Sequence, residues 1–153
     1  MNDLGKIINY NKHPLDDPNY VNLCKKEIVE NSILVLKNFL TKECLDELIL
    51  EAKKLEKNAF YCSQNHTILL RQYDKSLKSD DPLNIEVKSD KGCVPHDLLN
   101  KKSKLNIIYK SSKFKKFLKN VLNLKYLYPY ADTLSSINYN YYQYSQQLGW
   151  HFD

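Results

Sequence analysis

The stretch Asn140-Tyr141-Tyr142, a short polar turn at Ser145-Gln146-Gln147, and then Leu148-Gly149-Trp150-His151-Phe152-Asp153 decides how this chain is read. The segment from Leu134 to Tyr144 is rich in tyrosine and other β-formers, and Leu148 to Asp153 returns as a second strand, so the sequence predicts a β-hairpin. On an extended backbone, residues two apart share a face. His151 and Asp153 can therefore address one ion, with Trp150 and Phe152 packing on the other side, and Asn140 and Tyr142 form a second same-face pair. An imidazole and a carboxylate are two thirds of the facial triad that holds non-haem Fe(II) with positions left open.

Upstream of the hairpin the patterns are helical. Asp17-Pro18 opens a first helix through an acidic cap and a proline in its first turn. Thr41 and Glu43 introduce the strongest one, where Leu45, Leu48, Ile49, Ala52 and Leu55 recur at helical spacing. Ser112 is the expected cap of another, with Phe114, Phe117, Leu118, Val121 and Leu122 on one face and lysines on the other. Ser32–Leu36, Ile68–Leu70 and Ile85–Val87 read as short strands, the last two among long loops. Helices first and a hairpin last predict an α+β fold, without repeats or an interdomain linker, over a single domain 1–153.

Composition narrows the classes further. At 42% hydrophobic and 27% charged residues the chain belongs with folded globular domains. The sequence has no signal-like start and no run near the ~20 apolar residues of a membrane span, which excludes secretion and membrane insertion as expectations. Cys24, Cys44, Cys62 and Cys93 form no C-x-x-C pair, so they read as reduced thiols in cytoplasm. Between Asp97 and Asp132 there are nine lysines and no acid. Such a field attracts phosphate or carboxylate, but lysines interleaved with core residues, without arginine, read first as a solvated helix face. His13 and His66 stand in polar contexts and read as exposed; His96 reads as a loop or capping histidine.

The N-x-Y, turn, L-x-x-H-x-D arrangement resembles that of the iron(II)/2-oxoglutarate-dependent oxygenases. Val94–Asp97, the helix around Phe114–Leu122, and Leu127–Leu134 resemble the lead-in of a bacterial subgroup near the small-molecule hydroxylases and radical halogenases, so the resemblance covers roughly the last third of the chain. It implies His151 and Asp153 as metal ligands, Asn140 and Tyr142 as 2-oxoglutarate contacts, and a jelly-roll core (a double-stranded β-helix) of which this chain holds the N-terminal helices and first strands. With Asp153 at the carboxylate position it implies hydroxylation, of a small molecule such as an amino acid, over halogenation. Two departures stand out. Tyr144 and Ser145 occupy the turn where many relatives carry proline and glycine. The distal histidine and the basic residue that pairs with 2-oxoglutarate are expected downstream of Asp153, so the chain by itself is expected to be an inactive, truncated portion. The alternatives are a nucleic-acid dealkylating oxygenase and a non-catalytic interaction module.

Overall fold

The computed structural model describes residues 4–132 and 134–152. It is mixed α+β, with five α-helices and a three-stranded antiparallel sheet, and its contacts divide it into two compact units. One comprises Met1–Lys54 with Pro95–Ile137, the other Leu55–Val94 with Asn138–Asp153.

The first unit is helical. After the short α1 (Leu4–Ile7), α2 (Pro18–Asn31) starts where Asp17 accepts the Asn19 and Tyr20 N–H groups at 2.7 and 3.1 Å, with Pro18 filling a position whose N–H needs no partner. It stops where Ser32 turns left-handed, at φ 57°. Thr41 caps α3 (Lys42–Leu55) by accepting the Cys44 N–H, and its hydroxyl donates to Lys6 O. Glu43 in the first turn and Lys53 and Lys54 in the last complement the helix dipole. A helix unforeseen in the sequence, α4 (Lys104–Lys110), ends one residue before α5 (Ser112–Val121). Ser111 closes α4 and caps α5, accepting the Phe114 N–H, so the cap lies one residue earlier than the sequence suggests. Ile7, Ile8, Phe117 and Val121 are almost fully buried. Phe117 stacks on Tyr20 at 6.0 Å between ring centroids, and Phe39 meets Phe114 at 5.5 Å.

Two expectations for this unit are corrected. Ser32–Leu36 is not a strand: Ile33 and Val35 lie exposed, and the pairing occurs later, as a bridge between Ile8 and Leu40. A short apolar run becomes a strand only where another backbone edge meets it. His13 is buried, its Nδ1 accepting from the Tyr20 hydroxyl at 2.6 Å and its Nε2–H donating to Lys37 O at 3.0 Å. Partners distant in sequence satisfy the ring, which its polar neighbours do not reveal.

The second unit is the sheet, ordered β1 (Phe60–Thr67), β2 (Glu86–Val94), β3 (Tyr139–Tyr141). The pairing runs from Phe60 opposite Cys93 to Thr67 opposite Glu86, then from Gly92 opposite Tyr141 to Val94 opposite Tyr139. Ile68–Leu70 is a turn rather than a strand, because Leu70 adopts φ 55° and donates its N–H to Thr67 O. Ile85–Val87, by contrast, leads into a strand that continues to Val94. The long 68–85 connection is held by the buried Asn84 amide, which accepts the Asp74 N–H and donates to Asp74 O.

The expected hairpin also takes another form. Gln147 O accepts the Asp90 N–H, and Gly149 lies against Val87 and Lys88. Instead of folding back on β3, the 147–149 segment continues antiparallel along the same edge of β2. The chain between bulges outward and closes through a Gln146 N–H bond to Gln143 O.

Candidate functional site

His151 is positioned by the edge of β2. Leu148, Trp150 and Phe152 are exposed while Gly149 and His151 are half-buried, so the period-two alternation read from the sequence is present. The expected packing of Trp150 and Phe152 is not: at 90% and 68% exposure they face outward. The segment forms no regular ladder at 148–152: it is attached by one bond to a side chain and one to the turn after β1. Gly149 N–H donates to Ser89 Oγ at 3.0 Å, and Phe152 N–H donates to Ile68 O at 2.8 Å.

Ser89 belongs to a buried relay. Thr67 O can only accept, so the 2.8 Å contact puts a proton on His66 Nδ1 and leaves Nε2 to accept the Ser89 hydroxyl at 2.7 Å. The same logic fixes the other imidazole. His151 Nδ1 lies 2.7 Å from Gly149 O, so Nδ1 carries a proton and donates it. Gly149 thus engages both its backbone groups, one toward Ser89 and His66 and one toward His151. The His66 and His151 rings meet edge to face, 5.8 Å apart.

Gly149 also has no room for a side chain. A Cβ there would lie 2.8 Å from Val87 Cγ2 and 2.9 Å from Lys88 O. The absent side chain is what lets the segment approach β2.

His66, like His13, is buried rather than exposed as the sequence suggests. β1 shows no alternation to reveal it: exposure persists along the strand and burial comes only at His66 and Thr67. His96 is the loop histidine expected, bonded to Ser136 Oγ and, at 2.6 Å, to Asn106 Oδ1.

Asn140 stands opposite Cys93, while Gly149 lies beside Lys88. At about 3.4 Å per residue these positions are separated by roughly 17 Å along β2. Asn140 donates to Asn138 Oδ1, and Tyr142 is half exposed just after β3. The described arrangement does not bring Asn140 to the Gly149 end of the edge. Asp153 lies outside the described residues. Asp90, on β2, is committed to Lys88 at 2.7 Å, and that ammonium, with Ser63, holds its carboxyl below the usual carboxylate range.

No family model, curated protein or solved structure matches the chain.

Among the described residues no three His, Cys, Asp or Glu side chains gather as a metal site. His151 has, on Nδ1, the carbonyl support that metal-ligating imidazoles commonly use. His66, beside it, has both nitrogens in hydrogen bonds. The described donors therefore do not close a site for Fe(II). The four cysteines are free, and no helix among the described residues is long and apolar enough to cross a membrane.

Proposed function

We propose that this chain carries the metal-ligand segment of a non-haem Fe(II)/2-oxoglutarate-dependent dioxygenase acting on a small molecule such as an amino acid. The observation that carries the reading is the His151 Nδ1–H bond to Gly149 O, which fixes the orientation of the ring and ties it, through the Gly149 N–H bond to Ser89, to β2. His151 and Asp153 are the two donors this sequence contributes. A third ligand, a basic partner for 2-oxoglutarate and a jelly-roll core are what the resemblance implies for such a site. A cytoplasmic setting goes with this reading, in keeping with the four free thiols.

Paramagnetic broadening tests the ligand assignment, because it localises even a weak site. Anaerobic titration with Mn(II) is expected to show weak binding, two donors lacking a third. Broadening should centre on His151 and extend to its neighbours Gly149 and His66. His151→Ala should abolish this pattern while leaving the sheet resonances in place. Broadening centred elsewhere, or unchanged in His151→Ala, would refute the assignment.

The co-substrate role proposed for Asn140 and Tyr142 has a separate test, since the described arrangement holds Asn140 apart from the Gly149 segment. Tyr142→Phe should weaken 2-oxoglutarate binding about tenfold to a hundredfold, the value of one hydrogen bond to a charged group. Unchanged affinity would restrict the site to His151 and Asp153.

One observation favours a second reading, a non-catalytic interaction module: Trp150, Phe152 and Tyr144 are all strongly exposed along this edge. Such apolar surface marks contact with another protein layer. Self-association of the chain that is insensitive to Mn(II) and lost in Trp150→Ser, with no broadening at His151, would decide for it.

A further inference from the structure

In the helical unit a cleft of about 440 Å³ opens between α2 and α5. Pro18, Val21, Asn22 and Lys25 line it from α2, and Lys116, Lys119, Asn120 and Asn123 line it from α5 and the turn after it. Both sets follow i, i+3, i+4, i+7 spacing, the positions that normally seal a helix–helix seam with apolar side chains. The two helices do pack, with Tyr20 stacked on Phe117, but this part of the seam is polar and stays open.

Its charge is one-sided. Lys25, Lys116 and Lys119 converge on the cleft, and among the described residues none of the three has an ion-pair partner. Asp16, the one acid in the lining, is taken by Lys113 at 2.8 Å. Lys25 and Lys119 are half-buried, and Lys25 is held by a 2.7 Å bond to Asn123 Oδ1. Partly desolvated like charges aimed at one space repel each other, and an anion between them reverses the sign of that interaction.

We propose that this cleft binds a small phosphorylated anion. Lysine ammoniums act on phosphate as point charges, whereas planar carboxylates favour the arginine fork, and the lining has no arginine. The Asn22 and Asn120 amides add donors that a phosphoryl group with several oxygens can use. The volume is that of a small-molecule site. A nucleic-acid backbone needs cations spread along a track, and here they converge on a hollow whose apolar lining is Leu15, Val21 and Leu124 with Pro18. The inference is independent of the dioxygenase reading.

The test is titration of the full chain with pyrophosphate at low salt, followed by calorimetry and amide NMR. One-to-one binding is expected, with shifts at Asn22, Asn120 and Asn123 and weakening as salt screens the charges. Lys119→Gln should weaken binding about tenfold and Lys25→Gln with Lys119→Gln about a hundredfold, each variant losing charge-assisted bonds. Lys53→Gln, outside the cleft, should bind like the parent. If the double variant does not fold, the exposed Lys116→Gln serves instead, with a tenfold loss expected. The proposal fails if pyrophosphate does not saturate, if Lys53→Gln weakens binding as much as Lys119→Gln, or if shifts spread over all the lysines. It fails equally if single-stranded DNA binds with affinity that rises with length and pyrophosphate does not compete.

Discussion

Gly149→Ala is expected to lift the 147–152 segment off β2. The new methyl would overlap Lys88 O and the Val87 side chain at under 3 Å, and one of these is backbone that cannot turn away. Overpacking costs about 1–3 kcal/mol, and here it also breaks the Gly149–Ser89 bond that joins the segment to the His66 relay. Hydrogen exchange should show loss of protection at Gly149 and Phe152, with the β1–β2 amides unchanged. Ser89→Ala, which removes the acceptor without filling the gap, should give a smaller loss. Native protection in Gly149→Ala would mean that the close approach is not what fixes His151.

The second large effect is expected in the helical unit. Phe117 is 1% exposed and packs between Tyr20 and Phe114, so Phe117→Ala removes a ring from a closed environment. Aromatic truncations of this kind cost about 3–5 kcal/mol, a large fraction of the roughly 5–15 kcal/mol that holds a domain folded. Denaturant unfolding followed by far-UV dichroism should show a helical transition at clearly lower midpoint. A loss under about 1 kcal/mol would show that the site collapses around the gap or is not a core position.

How far the sequence could be read depended on the range of the forces involved. Asp17-Pro18 and Thr41 with Glu43 announce α2 and α3 because a cap bonds only to the next turn, so cause and consequence lie within four residues. β1 is the opposite case. Ser63, Gln64 and Asn65 have little preference for a strand, and they form one because β2 offers a matching edge more than twenty residues away. The same distance hid the support of the candidate site. His151 stands out by residue type alone, but His66 and Ser89 become its neighbours only through strand pairing. The hairpin failed as a local reading for a related reason: the tyrosine-rich and histidine-bearing segments are both bonded to β2 rather than to each other.

The outward bulge between Tyr142 and Gln146 lets the two halves of this edge drift independently in length. A residue gained or lost within the bulge leaves β3 opposite Gly92–Val94 and Gly149 beside Lys88, because each half keeps its own anchor. A residue gained between Gly149 and Trp150 would instead exchange inner and outer faces, turning the imidazole to solvent and the indole inward. Sequences that build this edge are therefore free to vary in spacing before Leu148 and are bound to a strict parity after it.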